Sequence, residues 1–132
     1  YLLDVNFGPE LGQKQVVAGL KKFFEPKELL HHQAVFCCNM KPAKIRGELS
    51  KAMILVADDT EHASLLEVEK TKVGEGVHFT GMENSSKEVT FEEFKQLVLQ
   101  VVQGKVIFDG KKLSSAVEDV LVTGVREGAR IR

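Results

Sequence analysis

Lys41, Lys44, Arg46 and Lys51 fall within one fifteen-residue stretch, Asn39 to Met53, against a single acid, Glu48, so the stretch is net +3. Ammonium and guanidinium groups gathered this closely can neutralise phosphate oxygens and release the counterions held there. Asn39 and Ser50 add donors suited to phosphate, sugar or base edges. Arg46 can stack on a base or grip one phosphate with two N–H groups. A solvated connection that merely happens to hold lysines has the same composition. The elements around the stretch have to decide between the two.

Ala34-Val35-Phe36-Cys37-Cys38 before it and Ala52-Met53-Ile54-Leu55-Val56-Ala57 after it are short apolar runs that predict buried strands. The cationic residues are thereby pinned to sheet at both ends. Pro42 fixes its own φ and pushes Lys41 toward an extended conformation, while Gly47 permits a turn. The expectation is a cationic surface loop whose geometry is set in advance.

The wording of the stretch, N-x-K-P-A-K-x-R-G-x-x-S-x-A-M, resembles the signature of the tRNA-binding domain related to endothelial monocyte-activating polypeptide II. That domain is appended to several aminoacyl-tRNA synthetases, especially methionyl and tyrosyl enzymes, and to their accessory proteins. Val16-Val17-Ala18-Gly19-Leu20 is similar to a second family segment, with Ala18 where Ser is common. Weaker resemblance runs to the C-terminus. The resemblance implies that Asn39, Lys41, Lys44, Arg46, Ser50, Lys51 and Met53 face RNA. For Met53 the residue type favours core packing, and the resemblance places it near the binding face.

Net charge is only −1, but its distribution is uneven. Residues 1–38 are net 0, residues 54–94 net −7 and residues 95–132 net +3. A basic patch beside an acidic one sets up a local field that the total conceals. Arg126, Arg130 and Arg132 either extend the basic surface or form a solvated tail. There are one Tyr, no Trp and eight Phe, so no aromatic ladder of the kind that reads single strands is present. Recognition should then follow backbone shape.

Several classes of chemistry lack support. No nucleophile–base pairing, Gly-rich phosphate loop or metal-ligand spacing is present, so neither catalysis nor a cofactor is expected. His31 and His32 are neighbours on a predicted short helix from Pro26, about 100° apart, and cannot readily share an ion. His62 and His78 stand alone. Cys37 and Cys38 point to opposite faces of a strand and read as reduced core residues, which implies a reducing compartment and a cytoplasmic location. No apolar run approaches the roughly 20 residues that span a bilayer, and no signal peptide opens the chain. A first residue other than Met reads as a fragment or a processed piece.

At 132 residues, 43% hydrophobic and 28% charged, the chain can bury a core of its own. Tyr1–Phe7, a turn at Gly8-Pro9 and Gln13–Leu20 predict a hairpin, and Leu65–Val68 and Val77–Phe79 add strands. Short strands between turn residues suggest a small β-barrel, with a sandwich equally open from pattern alone. The resemblance implies an OB-fold whose first strand, with a His-Pro turn, is missing from this chain. Residues 81–87 form a polar linker. Thr90 to Glu93 make a capping box, and apolar residues from Phe91 to Val102 recur at helical spacing up to a stop at Gly104. Asp109-Gly110 predicts an I′ hairpin turn, and Val117–Val122 a last strand.

The expected architecture is mainly β with some α. Residues 1–80 form an OB-fold tRNA-binding domain, and residues 81–132 an appended α+β unit packed on the barrel in place of a second subunit. The protein should be a monomeric, non-catalytic module that brings tRNA to a parent or partner aminoacyl-tRNA synthetase. A released cytokine-like polypeptide and a protein-docking scaffold in a multi-synthetase assembly are the alternatives.

Overall fold

Leu2–Asn6 (β1) alternates exposed and half-buried residues and pairs antiparallel with Gln13–Val17 (β2), Leu3 opposite Val16 and Asn6 opposite Gln13. This computed structural model describes residues 1–132. One helical turn, Gly8–Leu11 (α1), joins the two strands. Pro26–Leu29 (α2) is another single turn, shorter than the predicted helix through His32. It stops because Leu30 is extended and His31 sits at φ 62°. The two apolar runs flanking the cationic stretch meet as Phe36–Cys37 (β3) and Met53–Ile54 (β6), Cys37 opposite Met53. Between them lie Ala43–Ile45 (β4) and Glu48–Ser50 (β5), paired only with each other.

The remaining elements are Val56–Asp58 (β7), Ala63–Leu65 (β8), His78–Phe79 (β9), Phe91–Lys95 (α3), Gln100–Val102 (β10), Lys105–Phe108 (β11), Lys111–Ser114 (β12) and Arg130–Ile131 (β13). They build a seven-stranded antiparallel sheet in the order β8-β7-β13-β10-β11-β12-β9. The sheet runs unbroken across residue 80: Ala57 faces Ile131, and Phe79 faces Leu113. Its core does the same. Twelve buried residues, including Val35, Leu55, Ala57, Leu66, Val101, Val106, Val120 and Ile131, form one cluster. Two smaller clusters lie under β1, β2 and α2. Cys37 packs against the main cluster and Cys38 against the smallest, and both thiols are free.

Three further predicted elements differ. The Thr90 capping box forms, with the Glu93 N–H donating to the Thr90 hydroxyl at 3.1 Å and the Thr90 N–H to the Glu93 carboxylate at 3.0 Å. The helix it starts ends at Lys95 instead of running to Val102. Val101 is buried as the middle residue of β10, opposite Val106, and Gln103-Gly104 adopt φ 51° and 76° as a two-residue hairpin turn. Gly104 is therefore a strand-to-strand turn and not a helix stop. Sheet burial of Val101 outweighs the helical spacing, as β-branched residues favour. Val117–Val122 makes only isolated bridges, from Asp119 and Leu121, although Val120 and Val122 are buried. The last strand is Arg130–Ile131. The strand predicted over Leu65–Val68 ends at Leu65, after which Glu67 bridges Leu121.

Candidate nucleic-acid interface

The cationic stretch is not a loop but a projecting hairpin. Ala43 faces Ser50, Lys44 faces Leu49, and Ile45 faces Glu48. Arg46 and Gly47 close it with φ 52° and 82°, the positive pair that a two-residue I′ turn requires. Glycine takes that conformation freely, whereas arginine is held in it by the turn. Residues 41–49 are all exposed.

The base of the hairpin is fixed on two sides. The Ser50 hydroxyl, 7% exposed, accepts the Val17 N–H at 3.0 Å and donates to the Ala52 carbonyl at 3.0 Å. The Lys51 N–H donates to the Gln15 carbonyl at 3.1 Å, and the Gln15 side-chain amide donates to the Leu49 carbonyl at 3.0 Å. On the entry side, Lys41 N–H donates to Val89 O at 2.7 Å and Val89 N–H to Asn39 O at 2.9 Å. The Asn39 side chain donates to Lys87 O at 2.7 Å and Ser85 O at 3.3 Å and accepts the Cys37 thiol at 3.2 Å.

Lys41, Lys44, Arg46 and Lys51 enter none of the ion pairs of the structure. Elsewhere Lys27, Lys105, Lys111, Lys112 and Arg126 are ion-paired, Lys105 and Lys112 sharing Asp119 and Arg126 meeting Glu61 at 2.6 Å. The hairpin thus keeps its positive field, exposed, on a base hydrogen-bonded to the rest of the fold. That arrangement suits a polyanion that approaches from outside.

Residues 1–76 match the family described as "Putative tRNA binding domain". The chain belongs to that family. Among relatives of this tRNA-binding domain, the methionine–tRNA ligase of Thermococcus kodakarensis is 46% identical over 70 residues, 53% of this chain and 9% of the ligase. That of Methanocaldococcus jannaschii is 44% identical over 69 residues, 52% of this chain and 10% of the ligase. The matched part thus spans about a tenth of the length of these ligases. In fold, the domain is similar to the crystal structure of the C-terminal domain of Plasmodium vivax p43, with a TM-score of 0.87 and 23% identity over 100% of this chain and 84% of that one.

Within this tRNA-binding domain the seven residues singled out by sequence divide into two groups. Lys41, Lys44, Arg46 and Lys51 present their charges to solvent. Asn39 and Ser50 spend their side-chain donors on the protein backbone, and Met53 is half-buried against the main core. The three C-terminal arginines are placed apart by their partners. Arg126 lies against Asp59 and Glu61, and its backbone N–H donates to Asp59 at 2.9 Å. Arg130 donates to Leu97 O at 3.3 Å from within the sheet, and the Arg132 N–H donates to Val56 O at 2.8 Å. Arg130 thus sits on an interior strand, and Arg126 and Arg132 are each tied to the rest of the fold by hydrogen bonds.

One cation escapes a reading of the sequence. Lys14, half-buried on β2, shares a shallow cleft of about 200 Å³ with Lys51, Cys38, Asn39, Met40, Pro42, Ser86 and Glu88. Its position in a strand beside polar Gln13 and Gln15 gives no local hint of this, because the cleft wall comes from residues far along the chain.

Proposed function

We propose that this domain is a non-catalytic tRNA-binding module, directed by phosphate position and backbone shape, that anchors tRNA to an aminoacyl-tRNA synthetase. The observation that carries the reading is the four unpaired, exposed cations on and beside one hairpin in a member of the tRNA-binding family. The likeness to stretches of methionine–tRNA ligases supports the synthetase as the partner. The order of β1, β2, α2, β3 and the strands that follow supports an OB-fold barrel as the frame. The sheet continuous with residues 81–132 supports a monomer in which the appended unit covers a barrel face.

Filter binding of tRNA at several salt concentrations tests the module. With four phosphate contacts, log K should fall against log salt with a slope of roughly −3, taking about 0.7 to 0.9 per contact. Lys44→Ala and Arg46→Ala should each weaken binding to different tRNAs alike and shallow the slope by about 1. Folded tRNA should compete far better than a single strand of equal length, since a rigid cationic hairpin without stacking aromatics reads shape. Unchanged affinity and slope in both variants would place the site elsewhere, and equal competition would remove the tRNA assignment.

A further inference from the structure

Lys41, Lys44 and Arg46 stand exposed and outside any cleft with Lys14, but Lys14 is half-buried. Lysine is rarely buried without a paired acid, yet Lys14 is half-buried and enters no ion pair. It lies close enough to Cys38 for its charge to pull the thiol pKa down, against the larger upward push of burial. Lys51 lines the same cleft from the foot of the hairpin, its backbone fixed to Gln15. Ser86 adds a hydroxyl from the 85–89 segment, which Asn39 holds in place. The one acid lining the cleft, Glu88, is exposed and pairs with neither lysine. Two ammonium groups and one carboxylate leave a net charge of +1, which matches one phosphodiester better than a dianionic terminal phosphate.

We propose that this cleft clamps a single backbone phosphodiester of the bound RNA, with Lys14 and Lys51 as its two cationic ligands and Ser86 as a neutral donor. The inference rests on the tRNA-binding reading and adds a contact to it that lies behind the hairpin, not on it. A strand of RNA passing over the exposed cations would then have one phosphate seated at the hairpin's foot. That fixes where the backbone runs, whereas four exposed charges alone leave it free to slide.

Cys38 provides a reporter inside the cleft, and its neighbour Cys37 packs against the main core instead. In a Cys37→Ala background the rate of Cys38 alkylation by N-ethylmaleimide is measured with and without saturating tRNA, binding being checked separately by filter assay. The expected result is a several-fold slowing by tRNA. Lys14→Gln should in addition weaken tRNA binding and shallow the salt slope by about 0.7 to 0.9, with Lys14→Arg close to wild type and melting temperatures confirming that both variants fold. If tRNA binds but Cys38 is alkylated at an unchanged rate, or Lys14→Gln keeps the wild-type slope, the cleft is not a phosphate site and the hairpin reading stands. If the unsubstituted protein binds no tRNA, both readings fall together.

Discussion

The Ser50 hydroxyl accepts the Val17 backbone N–H at 3.0 Å, joining the foot of the cationic hairpin to the N-terminal hairpin across 33 residues of sequence. The same hydroxyl donates to the Ala52 carbonyl, so both of its roles are used inside the protein. Ser50→Ala would leave the Val17 N–H without a partner at a buried site. Leaving a buried donor unsatisfied costs about 1–3 kcal/mol, and urea unfolding should show a loss of that size with an unchanged m-value. A midpoint equal to wild type would mean that water replaces the hydroxyl and that Ser50 is not a structural pin.

The tip of the hairpin tests a different quantity. Nothing lies within 4 Å of a Cβ placed on Gly47, so Gly47→Ala meets no clash and is opposed only by its φ of 82°. An L-residue in the left-handed region costs about 1–2 kcal/mol. Because the hairpin pairs only with itself, that cost should appear locally. Hydrogen exchange at residues 44–49 should speed up, tRNA affinity should drop, and the melting temperature should hardly move. A global loss of stability with unchanged tRNA affinity would contradict the view that the tip of the hairpin is locally stabilised and contacts tRNA.

Acid stability should centre on Glu118. The Thr71 hydroxyl donates to its carboxylate at 2.7 Å, and the N–H groups of Glu69, Lys70 and Thr71 donate as well, holding its pKa at about 2 against an ordinary 4.5. Asp59 is held at about 2 against 3.8, first by the Arg126 backbone N–H and then by those of His62 and Glu61. A carboxylate whose folded pKa is depressed contributes stability above its unfolded pKa and loses it as pH falls through the folded one. Stability should therefore decline from near pH 5 down to about pH 2. Glu118→Gln should lower stability at pH 7 and flatten the decline; a variant with the wild-type pH profile would show that the loop over residues 69–71 closes without it.

Removing residues 81–132 should not leave a stable monomer. Ala57 and Asp58 would lose Ile131 and Arg130 as strand partners, and the main core would lose Leu99, Val101, Val106, Leu113, Val120, Val122, Ala129 and Ile131. A chain ending at Thr80 should dimerise through the uncovered face or aggregate. Sedimentation showing a soluble, well-folded monomer of residues 1–80 would refute the idea that the appended unit stands in for a second subunit.

Local chemistry was legible without the structure. The cationic stretch, the first hairpin, the Thr90–Glu93 capping box and the turn at Asp109-Gly110 depend on residues only a few positions apart. The density of Lys41, Lys44, Arg46 and Lys51 between two apolar runs therefore determined where positive charge collects.

Partners distant in sequence decided the rest. Helical spacing from Phe91 to Val102 lost to the pairing of Val101 with Val106, because burying one face of a sheet outweighs a propensity of tenths of a kcal/mol per residue. Arg130 became a strand residue because Asp58 and Gln100 flank it. The Asn39 amide donates to Lys87 O, 48 residues away, and the Ser50 hydroxyl accepts the Val17 N–H, 33 residues away. Lys14 entered a cleft whose other walls come from residues 38–51 and 86–88. The sequence determined which groups are cationic and where the chain turns; the tertiary structure decided which donors remain free, since a buried polar group is claimed by whatever backbone the fold brings to it.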